Sequence, residues 1–427
     1  RLSLRSWQSV MAASDGSPSS VVLALAAPAS EILQQSDVNY ILVAWVFAVA
    51  FLLGRFSVRG VKRQQWQKSD WLSDITSATN GAAATYALTA TGIVDKLPLP
   101  GEPGLPASEL ARACNLHPAE KVQGLLELMA KLQVVDLRQD GSVPVFRHTA
   151  HSQELRLGGR GRNFVLVHLS PAHVRPWWRI HEALVPSAEG VADDDSLQEP
   201  FRLEHDGLGA FEFYALPENS KEAQHYNDLM QELGTDPRLG SGSASTTGLI
   251  ADLPIWRDIA VDARDGLTSG VSFESQRTHP LVVDIGGGKG HALGAVLSRN
   301  PSWHGALFDR PDVVMESTLD SELNKPSPGR LSVVGGDFFA DESGIPCGAD
   351  VYMLKWVLHD WSDSRCLRIL RNIRRAATSP PSLGSKLPGL RAPRVLIIEQ
   401  FSSENALRAS SDLDMWVIYG GRERSVS

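Results

Sequence analysis

The sequence predicts an α/β fold: a doubly wound, mostly parallel sheet in the second half of the chain, preceded by a mainly helical domain that closes with a hairpin. Three observations predict it. Leu281 to Gly290 reads LVVDIGGGKG, an apolar run that ends in an acid and breaks into glycines. Four further short apolar runs follow, HGALFD, VVGGDFF, DVYMLKW and RVLIIEQ, separated by stretches long enough for crossover helices. Ahead of them, apolar residues recur at helical spacing and then give way to a short alternating pattern around an Asp-Gly turn.

The chain has 427 residues and 43% apolar content, enough for two globular domains with an appendage. A net charge of −8 argues against a nucleic-acid partner. Cys114, Cys347 and Cys366 are widely spaced, so neither a disulfide framework nor a zinc site is implied, and no metal is expected.

Residues 1–36 are Ser/Ala-rich and are expected to be disordered. The chain opens on Arg1, with Met11 a candidate start. Within 37–69, Val38 to Gly54 carries no charge over 17 residues, the lower limit for a spanning helix. Arg55, Arg59, Lys62, Arg63 and Lys68 follow it, which places what comes next on the cytosolic side of a membrane anchor. The rival reading of this run is a buried dimerisation helix.

Residues 70–200 read as the helical domain. Leu105 to Cys114 and His117 to Val135 predict two short helices. In the second, Val122, Leu125, Leu126, Met129 and Leu132 form an apolar stripe. Val134 to Arg147 predicts a hairpin turning at Asp140-Gly141. Helices plus hairpin make a winged helix, a DNA-binding module that the acidic net charge disfavours here. Residues 201–260 read as a largely helical linker over Phe201 to Leu233, then a Gly/Ser-rich loop at Leu239 to Gly248. Residues 261–427 hold the sheet, with a Pro/Gly-rich surface loop at Thr378 to Pro393 before its fifth strand.

Glycines 286, 287, 288 and 290 let backbone N–H groups approach a ligand closely at the carboxyl end of a strand. They depart from the dinucleotide fingerprint, because His291 replaces its last glycine, and from the P-loop, because Gly290 follows Lys289. Asp309 ends the next strand 25 residues after Asp284, where an acid can accept both hydroxyls of a ribose. His359-Asp360-Trp361 follows a buried strand, Glu399 ends the last one, and Gly420 to Ser425 reads GGRERS.

In their order and spacing these five motifs resemble the plant- and fungal-type small-molecule O-methyltransferases, the family of caffeate, flavonoid and hydroxyindole methyltransferases. The resemblance covers roughly Trp71 to Ser427. It implies a methyltransferase-type, Rossmann-like sheet, S-adenosyl-L-methionine as cofactor, an aromatic small-molecule acceptor of secondary metabolism, and a homodimer built on the winged-helix domain. It implies His359 as general base with Glu399 and Glu423 flanking it. A neutral imidazole suits removal of a phenolic proton of pKa about 10. By the same resemblance Asp284, Gly286 and Gly288 lie along the cofactor, Asp309 binds its ribose, Asp337 and Phe338 bracket its adenine, and Lys355 lies near it. Tyr226, Met230 and Trp356 would touch the acceptor, and Gly234 stands where some relatives carry a polar cofactor contact. Two further antiparallel strands are implied after a helix at Leu413 to Ile418. The C-terminal strands are thus expected to be missing and the strand at Ile397 to be an exposed edge. A cytoplasmic location follows from cysteine usage. Two other readings stay open: a relative that binds the cofactor without turnover, and a nicotinamide-dependent oxidoreductase, which His291 and the His359 set disfavour.

Overall fold

The computed structural model describes residues 21–23, 70–185, 199–235, 246–259, 279–315, 329–379, 393–399 and 411–424. The chain divides into two compact units. One comprises Arg1–Gln35, Arg179–Pro217 and Met230–Ser427, and the other Ser36–Trp178 with Glu218–Leu229. The linker of the sequence reading is thereby shared between them. The apolar run 38–54 and most of both Gly/Pro-rich loops lie outside the described residues. Among the described residues no helix is long and apolar enough to cross a membrane.

The first unit holds strand β1, Val21–Leu23. In the second unit follow β2, Leu105–Pro106; β3, Val135–Asp140; and β4, Val143–His148. β4 pairs antiparallel with both β2 and β3, with Asp140 opposite Val143, so the tight turn is Gly141-Ser142, one residue beyond the expected position. Gly141 takes φ of 60°, as such a turn demands. Helices Ala107–Ala113 and Ala119–Lys131 bury Leu110, Val122, Leu126 and Met129 with Leu88 and Phe146 in one core. A helix that the sequence reading did not single out, Asp70–Ala90, packs on it. Its buried Thr85 and Thr89 satisfy their hydroxyls on carbonyls four residues back, at 2.8 and 2.9 Å.

The sheet of the first unit continues with β5, Leu281–Ile285; β6, His304–Asp309; β7, Leu331–Gly335; β8, Val351–Lys355; and β9, Arg394–Ile398. Every pairing is parallel, and the order is β1-β9-β8-β5-β6-β7. The five strands expected from sequence therefore form a Rossmann-like sheet whose order reverses between β5 and β8. Alternate side chains feed two cores. Val283, Ile285, Phe308, Tyr352 and Leu354 face helix Asp363–Thr378, while Val282, Leu307, Met353 and Leu396 face helix His291–Arg299.

Two expectations are corrected here. Residues 1–36 are not wholly without structure, and β9 is not an open edge. Val21 to Leu23 pair with Val395 to Ile397, because unpaired N–H and C=O groups along a strand edge accept any extended segment that reaches them. The largely helical stretch expected over 201–233 is present as three separate helices, Pro200–Glu204, Ala210–Tyr214 and Ser220–Thr235. Asp206 and Gly207 both adopt positive φ, which a helix interior does not admit.

Candidate active site

In an open parallel sheet the crevice for a ligand lies beyond the carboxyl ends of the two strands where the order reverses. Here those strands are β5, which runs into the glycine turn, and β8, which runs into Trp356 to Trp361.

The glycine turn is built for close approach. Gly286, Gly288 and Gly290 all have positive φ, 67°, 58° and 86°. A Cβ on Gly286 would meet Val357 Cγ2 at 2.9 Å, whereas one on Gly288 would project into open space. Phe338 Cε1 lies 3.9 Å from that Gly286 position, so the ring stands beside the turn. It also meets Phe339 and Trp361 edge-on, with centroids 4.8 and 5.9 Å away. Asp337 is exposed in the turn after β7, where its Oδ1 accepts the Phe339 N–H at 2.8 Å.

Asp309 ends β6. Its Oδ2 accepts the Gly288 N–H at 2.7 Å and its Oδ1 the Arg310 N–H at 2.7 Å. Burial pushes its carboxyl above the usual range, and these two N–H groups oppose that rise. Asp284 is buried within β5, pushed up to about 7 by desolvation against the pull of Lys355. It accepts the Leu293 N–H in the first turn of helix His291–Arg299, and its Oδ2 has no partner. Burial also lowers Lys355, to about 8, with Asp284 and Glu399 opposing. Its Nζ lies 3.5 Å from the Trp356 ring centroid. Trp356 has φ of 53°, a strained value for a bulky residue at the point where β8 turns toward His359.

His359 sits on a one-turn helix, Leu358–Asp360, anchored by Glu399. Glu399 Oε1 accepts the N–H groups of Val357 and Leu358 at 3.0 and 2.7 Å. Its Oε2 lies 3.7 Å from His359 Nδ1. The same nitrogen lies 3.2 Å from Glu423 Oε1, and Asp360 Oδ1 lies 3.5 Å from Nε2. His359, Glu399 and Glu423 thus converge as expected. Asp360 is a third carboxylate that the sequence reading left without a role.

The three carboxylates change the expected protonation. Burial disfavours the imidazolium, but Glu399, Asp360 and Glu423 outweigh it and hold His359 up to about 10. Asp360 is itself pushed up to about 7 by burial. The surrounding acids thus favour the charged form of the ring over the neutral one.

Glu423 arrives from far along the chain on a strap. A π-turn at Met415–Tyr419 ends on Gly420 with φ of 72°. Gly421 passes so near the His359 carbonyl that no Cβ would fit, and the Arg422 N–H donates to that carbonyl at 2.8 Å. Arg422 and Arg424, on either side of Glu423, both grip Asp363. Arg424 also donates to the Leu358 and Trp361 carbonyls at 2.7 and 2.9 Å. Asp363 and Arg424 were missed from sequence. An acid and a base 61 residues apart give no signal until the chain has folded.

Tyr226, Asn227 and Met230 lie half-buried on helix Ser220–Thr235, which the two units share between Leu229 and Met230. Among the described residues no cluster able to hold a metal ion occurs.

Residues 268–427 match the O-methyltransferase domain family. One curated relative is O-demethylpuromycin-O-methyltransferase of Streptomyces alboniger, 40% identical over 156 residues, which are 35% of this chain and 37% of that enzyme. The chain thus spans less than two fifths of that relative's length. Over a longer stretch, the chain resembles the solved structure of mitomycin 7-O-methyltransferase, with 26% identity, a TM-score of 0.59, and coverage of 83% of this chain and 87% of that one. The O-methyltransferase of neocarzinostatin biosynthesis, solved with S-adenosylmethionine and 2-hydroxy-5-methyl naphthoic acid, shares the fold. Identity is 23% and the TM-score 0.56 over 81% of this chain and 86% of that one.

Proposed function

We propose that the protein transfers a methyl group from S-adenosyl-L-methionine to a hydroxyl, phenolic in the favoured reading, of an aromatic small molecule. The observation that carries this is the convergence of His359, Glu399 and Glu423 beside the glycine turn at the sheet's switch point. The match of residues 268–427 to the O-methyltransferase domain supports it.

The residues present fit the cofactor. Gly288 leaves open space above the turn, Phe338 offers a ring beside it, and Asp284 keeps an unpartnered buried oxygen. Gly286 and Gly288 would lie under its methionine part, Asp309 at its ribose, Asp337 and Phe338 about its adenine, and Lys355 alongside. Bound S-adenosylmethionine supplies an electrophilic methyl on a sulfonium. The chain's own part is to hold the acceptor hydroxyl in line with that methyl and to take its proton. His359 Nε2 takes the proton. Glu423 and Glu399 fix the ring through Nδ1 and stabilise the imidazolium that results. Met230 and Trp356 would line the acceptor side, Met230 giving an adaptable sulfur contact to an aromatic ring.

Calorimetry with S-adenosylhomocysteine tests the cofactor, beside an Asp309→Ala control. Micromolar binding that the control loses is expected, and a folded protein that does not bind refutes the assignment. An acceptor screen on the same protein tests the chemistry. His359→Ala should lose turnover by about 10²–10⁴-fold while keeping S-adenosylhomocysteine affinity. Cofactor binding with no turnover on any aromatic hydroxyl would favour the non-catalytic reading.

Finer readings belong here too. The plant- and fungal-type subgroup is carried by the motif runs around His359 and Glu423. In the second unit, the helices and the β3–β4 hairpin support the winged-helix reading, and dimerisation through it is measurable by sedimentation. A cytoplasmic location, with residues 38–54 as an anchor, rests on 17 uncharged residues followed by cations. Flotation of the full chain with liposomes, and its loss on deleting 38–54, decides the anchor.

A further inference from the structure

His291 is the first residue of helix His291–Arg299, directly after the glycine turn. Both of its ring nitrogens are shut off from solvent and neither has a hydrogen-bond partner. Buried polar atoms are almost always paired, so two orphans on one ring call for an occupant. The ring packs against the backbone of Gly234, where even a Cβ would strike Nε2. Asp284, buried, accepts the Leu293 N–H two residues further along the same helix, and its Oδ2 is likewise unpartnered. The His359 site uses neither atom.

The chemistry of the occupant follows from the protonation of the ring. Burial, helped by the charge of Lys355, pulls His291 down to about 3, so the imidazole is neutral. A neutral imidazole offers one N–H donor and one lone pair. An α-amino acid group is the complement: its carboxylate accepts and its ammonium donates. The ammonium also suits a carboxylate such as Asp284. The adenosine end of the proposed cofactor is already served by Asp309, Asp337 and Phe338.

We propose that His291, seated on Gly234, binds the amino-acid end of S-adenosylmethionine together with Asp284. This rests on the cofactor reading above. It adds a residue that neither the glycine pattern nor the catalytic set contains.

The test uses two ligands on the full chain, S-adenosylhomocysteine and 5′-methylthioadenosine, which share adenosine and sulfur but differ in the amino-acid end. His291→Phe keeps a ring in the same space without its nitrogens, and His291→Gln keeps one donor and one acceptor. Calorimetry should show His291→Phe weakening S-adenosylhomocysteine by about 10–100-fold, the range for lost bonds to charged groups. The affinity for 5′-methylthioadenosine should stay within about twofold, and His291→Gln should recover part of the loss. Equal weakening of both ligands would assign His291 to the shape of the turn and overturn the proposal, as would no change in either. Failure of the unaltered protein to bind either ligand would instead bring down the cofactor reading itself.

Discussion

His359 lies between two requirements. As the proposed proton acceptor it must begin neutral, yet three acids hold it up to about 10. The same acids stabilise the imidazolium that proton transfer creates, so the site favours the product of that step at the cost of free base beforehand. The sign of the pH dependence follows. kcat/KM should rise with pH as the ring loses its proton, and should level off above the apparent pKa of the cluster. Glu423→Gln removes one negative neighbour at 3.2 Å. Its rising limb should move to lower pH by about 1–3 units, the usual effect of a charge at this distance, and the plateau rate should fall. A pH–rate profile of the two proteins checks both, and a limb that stays in place would remove Glu423 from contact with the ring. His359, Glu399 and Glu423 were legible as residues, because each stands in a recognisable run. The protonation state was not, because it depends on how many carboxylates the fold gathers around one ring.

At the scale of elements, the strap from Gly420 to Arg424 matters most. It carries Glu423 across the turn after β8 and is fastened by Asp363, at the start of helix Asp363–Thr378. Arg424→Ala leaves Asp363 with one partner fewer and frees two carbonyls. A loss of about 1.5–3 kcal/mol is expected, the range for hydrogen bonds to charged groups, read as a lower denaturation midpoint. Turnover should fall while S-adenosylhomocysteine affinity holds, since the strap touches the base and not the glycine turn. Gly421→Ala should reproduce the kinetic loss through collision with the His359 carbonyl. Retention of full turnover in both would show that Glu423 is held by other contacts, such as its N–H to Asp412 at 2.8 Å. The five strands of the sheet were readable as apolar runs bounded by glycines and acids. The strap's fastening was not, since it is made of pairs remote in sequence.

For the whole molecule, the decisive fact is the strand order. Reversal between β5 and β8 brings the glycine turn and the His359 turn, some 70 residues apart in sequence, to one crevice. A ligand that binds only the folded form should stabilise it by about 2.7 kcal/mol at a hundredfold excess over Kd. S-adenosylhomocysteine should therefore raise the denaturation midpoint, and Asp309→Ala should abolish the rise. A midpoint that does not respond in the unaltered protein would contradict the cofactor reading.

The sequence by itself determined the α/β class, the five parallel strands, the glycine turn and the set of His359 with its two glutamates. These are local signals: an apolar run of strand length, a glycine where only positive φ serves, an acid at a strand end. Tertiary structure alone decided the rest. It placed Val21 to Leu23 on the edge of β9, divided the helical stretch after Glu204, brought Asp360 beside Nε2, joined Arg424 to Asp363, and left both His291 ring nitrogens shut off from solvent and unpaired. Each depends on which groups become neighbours and which lose water. Both are settled when the sheet closes its order, and neither is written in the spacing of residues along the chain.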